Sequence, residues 1–294
     1  MNGILCVDKP QGMTSFACCA VLRRLTGERK IGHAGTLDPM ATGVLPLMLG
    51  RSTRAIPLLP THDKSYRATL KFGFTSDTLD VWGTVTPTGK PLPTRTAVEA
   101  ALPLFRGAIW QVPPMVSALK KDGVRLYELA RQGIEVEREA RPVTVHRLEA
   151  VSYDAATGAL ELLCVCSAGT YIRTLCDDLG AVLGCGAIMT ALRRTKAAGY
   201  DETDCYTVEE WERFAREGVL EQYIRPVDTA FAVYPSVSVS QAQATRFANG
   251  GALSLDRLGN QSVVGITRVY EPDHTFLGLG TPAEGALHVL RLLG

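Results

Sequence analysis

A single carboxylate, Asp38, lies in the run Gly32-His33-Ala34-Gly35-Thr36-Leu37-Asp38-Pro39-Met40-Ala41-Thr42-Gly43. The three glycines permit positive φ or close backbone approach, and Pro39 fixes its own φ while pushing Asp38 toward an extended conformation. A carboxylate presented on such a constrained loop can serve as a nucleophile or a general base. The following run, Gly43 to Gly50, is apolar and bounded by glycines, so it reads as a buried segment that anchors one side of the loop. Taken alone, the same residues also suit an ordinary Asp-Pro turn with an exposed loop histidine.

Other residues with chemical potential fall on predicted regular elements. Lys64 to Phe72 alternates, with Tyr66, Ala68, Leu70 and Phe72 on one face and Ser65, Arg67, Thr69 and Lys71 on the other, which predicts a half-buried strand with Tyr66 near its start. Tyr66 there suits an edge-of-core residue as well as a binding one. Leu160 to Cys166 reads as a strand and Tyr171 to Leu183 as a helix with Arg173 in its first turn. A cation at that end opposes the helix dipole, so a carboxylate partner would explain its placement, and Arg173 is the candidate to keep Asp38 ionised and oriented. Asp77 and Asp80, inside Thr75 to Gly83, invite a metal reading, although two aspartates in such a turn are more often loop-forming. The eight cysteines form no Cys-x-x-Cys pair and read as buried free thiols.

Composition sets the frame for these residues. The chain has 294 residues, 46% hydrophobic and 21% charged, as a folded globular protein would. No apolar run approaches a membrane span and the N-terminus lacks a signal-peptide layout, so the expected location is the cytoplasm. A net charge of +1 argues weakly against a nucleic-acid partner. Three local clusters argue otherwise: Arg23, Arg24, Arg29 and Lys30; Lys120, Lys121 and Arg125; Arg193, Arg194 and Lys196 could track a phosphate backbone.

Strand and helix signals alternate without a strict βαβ rhythm, which predicts a mixed α+β domain. Ile4 to Val7 is a short strand, and Ser15 can cap a helix through Leu25 that Gly27 ends. Thr96-x-x-Glu99, Thr207-x-x-Glu210 and Ser240-x-x-Gln243 are capping patterns. Residues 113–142 form a polar excursion with a short helix, Tyr127 to Arg131. Near Pro235 the pattern shifts to short strand-like runs at Ser262 to Tyr270, Thr275 to Leu279 and Ala286 to Leu292, which predicts domains at 1–234 and 235–294.

The Asp38 run resembles the catalytic motif of the TruB family of tRNA pseudouridine synthases. Four further blocks match in the family's order: Asp8-Lys9-Pro10-Gln11-Gly12-Met13-Thr14-Ser15, Lys64-Ser65-Tyr66-Arg67-Ala68, Gly169-Thr170-Tyr171-Ile172-Arg173-Thr174-Leu175 and Leu192-Arg193-Arg194-Thr195. The resemblance implies a largely antiparallel pseudouridine-synthase domain followed by a small β-rich, PUA-like RNA-binding domain. It implies isomerisation of uridine 55 in the tRNA T-loop, with Asp38 as nucleophile on a flipped-out base. Tyr66, Tyr171, Leu192 and His33 would meet the RNA, and Arg173, Asp80 and Lys9 would support the site. The implied partner is the tRNA T-arm, with no cofactor, no metal, no membrane and a monomeric chain. A non-catalytic RNA-binding chaperone and a hydrolase using Asp38 with His33 are the rival readings.

Overall fold

A computed structural model describes residues 1–258 and 263–294. The chain opens with β1 (Gly3–Lys9), α1 (Ser15–Thr26), β2 (Ile31–His33), β3 (Thr42–Leu49) and β4 (Lys64–Phe72). A hairpin, β5 (Phe74–Ser76) and β6 (Val85–Pro87), leads to α2 (Arg95–Ala101) and β7 (Gly107–Gln111). The polar excursion holds a two-residue-per-strand hairpin, β8 (Lys120–Lys121) and β9 (Val124–Arg125), and α3 (Leu126–Arg131). Then come β10 (Arg141–Asp154), β11 (Ala159–Cys166), α4 (Ile172–Val182), β12 (Ala187–Ala197), β13 (Tyr200–Asp201), β14 (Tyr206–Thr207) and α5 (Val208–Arg216).

Ten of these strands form one sheet along the path β14-β1-β3-β12-β4-β11-β10-β7, with β2 added to β3 and β13 to β12. Only the β1–β14 and β3–β12 neighbours run parallel, so the expected mixed, largely antiparallel sheet is present. The alternation in β4 operates as read: Tyr66, Ala68, Leu70 and Phe72 are buried in one cluster with Leu175 and Leu179 of α4 and Val98 of α2. Leu5, Val7, Leu45 and Leu47 of β1 and β3 pack against Cys18 and Leu22 of α1 and Trp211 and Phe214 of α5.

Helix starts show where local reading slipped. Thr14, not Ser15, caps α1, its side chain accepting from Ala17 N at 3.0 Å. Thr94, not Thr96, caps α2, and Glu99 pairs with Arg95 one turn back at 2.8 Å instead of closing a capping box. Several neighbouring hydroxyls could each start the helix, and the first residue able to hold β-region dihedrals takes the role. The Thr207–Glu210 and Ser240–Gln243 boxes both close reciprocally.

Beyond Pro235, β15 (Ser236–Ser238), α6 (Gln241–Ala248), β16 (Leu253–Ser254), β17 (Thr267–Tyr270), β18 (Phe276–Ala283) and β19 (Ala286–Leu292) make a five-stranded sheet ordered β15-β17-β18-β19-β16. Its pairing is an open path, and the expected strand start at Ser262 lies outside the described residues. This sheet has its own core around Val237, Phe247, Leu253 and Val269. It is also joined to the rest: Leu279 and Leu293 are fully buried in a cluster with Ile4, Val44, Met48 and Phe231. Tyr270 Oη donates to Asp228 Oδ2 at 2.7 Å across the same junction. Truncation near Pro235 would therefore uncover apolar surface on the residues before it.

Candidate active site

Asp38 lies on the 34–41 connection between β2 and β3, which are themselves hydrogen-bonded neighbours. Two distant segments hold this loop by its backbone. From the N-terminal block, Ser15 Oγ donates to Leu37 O at 3.0 Å and accepts from Leu37 N at 2.8 Å. Gly12 N donates to Pro39 O at 2.7 Å, and the fully buried Lys9 Nζ reaches the carbonyls of Pro10, Met13 and Pro39 at 2.9, 2.7 and 3.4 Å. From β12, Arg194 donates to the carbonyls of Gly35, Thr36 and Val44 at 3.1, 3.2 and 2.8 Å, so one guanidinium grips both limbs of the loop. Gly43 explains this close approach: it has φ 101°, and a Cβ there would lie 2.2 Å from Arg194 O.

The Asp38 side chain is 38% exposed, whereas its ion-pair partner Arg173 is 4% exposed. Arg173 Nη2 stands 2.7 Å from Asp38 Oδ2, and Nε lies 3.8 Å from Oδ2 of the buried Asp80. Nη1 and Nη2 also donate to the carbonyls of Thr78 and Val116 at 3.1 and 2.8 Å. The buried arginine is thus matched by two carboxylates and two carbonyls, which offsets the cost of removing it from water. The resulting geometry leaves one carboxylate, Asp38, facing outward in a fixed direction. The carboxylate expected for a cation early in α4 is there, while Asp80 Oδ1 accepts from Thr78 Oγ1 at 2.7 Å and Trp82 N at 2.9 Å, closing its own turn.

Tyr66 and Leu192 share a cluster with Leu37, Met40 and Ile172, so the loop, β4, β12 and α4 converge on one buried apolar cluster. Burial pushes the Tyr66 phenol up to about 12, partly countered by Arg194. Tyr171 precedes α4, its N–H donating to Gln111 Oε1 at 3.0 Å, and burial raises its phenol as well. His33 ends β2, opposite Leu47, and is not on a free loop as the sequence suggested. Its Nδ1 is buried with no hydrogen-bond partner among the described residues, and burial followed by the Arg194 charge lowers its pKa, which favours the neutral ring at pH 7. Lys9 is likewise lowered to about 8, chiefly by burial.

Two residues of the third basic cluster are spent internally, while its Lys196 stays exposed. Arg194 is fully buried, and Arg193 holds Asp8 through Nη1 and Nη2 at 3.0 and 2.9 Å and also pairs with Glu202. The reason is the strand period, which places Arg194 on the same inward face as Leu192. That alternation was the available signal for Arg194. Within the first cluster, Arg23 donates to the Arg29 and Ile31 carbonyls and Arg24 pairs with Glu212. Lys120, Lys121 and Arg125 remain exposed. Ser15 was the other missed residue, since a hydroxyl next to a helix start reads as a cap before it reads as a loop clamp. Among the described residues no group of three or more His, Cys, Asp or Glu side chains is arranged to hold a metal, and seven of the eight free cysteines are buried.

Comparisons with known proteins match the chain along nearly all of its length. Residues 23–172 match the TruB family pseudouridylate synthase N-terminal domain, 173–232 the tRNA pseudouridylate synthase B C-terminal domain, and 235–293 the pseudouridine synthase II TruB C-terminal region. A tRNA pseudouridine synthase B of Azoarcus sp. is 44% identical, covering 100% of this chain and 95% of the relative. One of Pseudomonas putida is 42% identical over 97% of this chain and 92% of its own length. The crystal structure of a Cbf5-Nop10-Gar1 complex contains a chain of like fold, with a TM-score of 0.73 at 23% identity, covering 99% of this chain and 85% of that one. With these models matched over residues 23–232 and 235–293, and the Asp38 loop, β4, α4 and β12 converging on one buried cluster, the chain belongs to the TruB family of pseudouridine synthases.

Proposed function

We propose that the chain isomerises uridine 55 in the T-loop of tRNA to pseudouridine, with Asp38 as the nucleophile acting on a flipped-out base. It would act as a cytoplasmic monomer, with residues 235–294 as a PUA-like accessory that binds RNA. The observation that carries the reading is the outward carboxylate of Asp38, held at 2.7 Å by a buried arginine beside a buried apolar cluster. The reaction needs no redox chemistry: the N1–C1′ bond breaks, the ring turns, C5 bonds to C1′, the C5 proton leaves and N1 takes up a proton. A carboxylate attacking C6 or C1′ suffices as the covalent actor.

Extruding the base costs roughly a few kcal/mol. Tyr66 would stack on the extruded base and return roughly 1 to 3 kcal/mol, with Tyr171 and Leu192 closing around it. A neutral His33 at the end of β2 is free to lean against the opened RNA loop without a desolvated charge. Arg173 and Asp80 hold Asp38 in place, and Lys9 holds the loop that carries it.

The test is Asp38→Asn, which keeps shape and removes the nucleophile. On an unmodified tRNA transcript carrying tritium at uridine C5, release is expected to fall at least about 10³-fold while affinity stays within severalfold. Appreciable turnover by the variant would remove Asp38 from the chemistry. Tight tRNA binding without turnover by the wild type would favour the chaperone reading.

A further inference from the structure

The turn after β5 carries an exposed apolar group that the site described above does not use. Trp82 is 53% exposed, and its neighbours Val81 and Val85 are each 39% exposed. Singly exposed apolar residues are common and need no explanation. These three are on a segment held by many bonds. Trp82 N donates to Asp80 Oδ1 at 2.9 Å, Thr84 N to Asp77 Oδ1 at 2.8 Å, and Val81 N to Met189 O of β12 at 3.1 Å. A Cβ on Gly83 would lie 2.1 Å from Asp77 Oδ1, so a side chain there would displace the carboxylate that receives Thr84 N.

The turn is also continuous with the reacting centre. Asp80, whose Oδ1 receives Trp82 N, places Oδ2 at 3.8 Å from Arg173 Nε, and Arg173 Nη2 is 2.7 Å from Asp38. One carboxylate and one guanidinium therefore separate the Trp82 backbone from Asp38. An indole spreads over several ångströms with few rotatable bonds, so it offers stacking area at small entropic cost when its backbone is already fixed. Every nucleobase has a π-face, and a base next to the one drawn toward Asp38 must lie within a nucleotide step of the site.

We propose that Trp82, flanked by Val81 and Val85, is a stacking platform for an RNA base adjacent to the flipped uridine. This rests on the proposed RNA-modifying function and adds a contact outside the reacting pocket. Its contribution is to affinity first, because it holds a neighbour of the reacting nucleotide and not the nucleotide itself.

Trp110 supplies the control. It is 71% exposed on the edge strand β7, where strand alternation turns it away from the face of Gln111, which is buried and bonded to Tyr171. Trp211 is fully buried. A T-arm RNA hairpin is titrated into the full-length wild type and the Trp82→Ala, Trp82→Phe and Trp110→Phe variants, following indole emission and affinity. Trp82→Ala is expected to weaken binding about tenfold, within the stacking range, and to lower the saturated rate by less. Quenching on RNA addition is expected to vanish in Trp82→Phe and persist in Trp110→Phe. Unchanged affinity of Trp82→Ala, or full quenching in Trp82→Phe, overturns the platform. Pseudouridine formation by the wild type on the same hairpin separates the two ideas: its absence rejects the proposed function, whereas its presence with either of those results rejects only the role of Trp82.

Discussion

The Asp38 loop and the 113–142 excursion look alike as sequences, both short of regular pattern and punctuated by glycine and proline, yet they are held by different means. Lys9, Ser15 and Arg194, all buried and all from other parts of the chain, donate to the backbone of the Asp38 loop. The excursion is tied by exposed or half-exposed groups, with Lys121 Nζ on Glu137 O at 2.8 Å and Arg138 Nη1 on Pro113 O at 3.1 Å. Bonds shielded from water are costly to break because the carbonyls left behind find no replacement, whereas exposed ones exchange readily with solvent. On the proposed function, chemistry falls to the first kind of loop and RNA recognition to the second. Arg173 joins them, with Asp38 on one side and Val116 O of the excursion on the other.

The junction offers the largest effect. Arg173→Lys keeps the charge but cannot span two carboxylates and two carbonyls, so the single-turnover rate is expected to fall at least about 100-fold with tRNA affinity within about threefold. A wild-type rate for Lys beside an inactive Ala variant would show that positive potential alone is needed.

Arg194→Met tests whether the buried clamp is what fixes the Asp38 loop. Three carbonyls lose their donor at roughly 1 to 3 kcal/mol each, partly offset by relief of a buried charge, so a net loss of about 3 kcal/mol in urea unfolding is expected. A loss below about 1 kcal/mol would mean that the N-terminal block holds the loop without help.

Lys9 gives a pH signature of the same buried clamp. Its folded pKa is lowered to about 8 from 10.5, so between those values the unfolded chain binds more protons and stability rises with pH. Relative to Lys9→Met, the wild type is expected to gain on the order of 3 kcal/mol across that window, read from denaturation midpoints. Parallel profiles for the two proteins would place the ammonium in a better-compensated site than its burial implies.

The smallest effect belongs to the excursion. Lys120→Ala and Lys121→Ala are each expected to weaken tRNA binding severalfold and to reduce the slope of log affinity against log salt by about 1, leaving stability within about 0.5 kcal/mol. Unchanged salt dependence would remove these lysines from the RNA surface.

Much of this architecture is written locally. The period-2 pattern of Lys64–Phe72 sets β4 and the inward Tyr66, and the Thr207–Glu210 and Ser240–Gln243 boxes start their helices where they stand. An arginine in the first turn of α4 demanded a carboxylate, and Asp38 answers it. These signals are legible because dihedral preference, side-chain period and capping act within a few residues. The resemblance supplied the ordered blocks but not the reason for them. Tertiary structure alone decided that Ser15 bonds Leu37 instead of capping α1, that the inward Arg194 meets the carbonyls of the Asp38 loop, and that Leu279 and Leu293 share a core with β1 and β3. Each of those outcomes depends on which distant segment arrives to bury a polar or apolar group, and the cost of leaving that group unpaired or hydrated is set only when the sheet assembles around it.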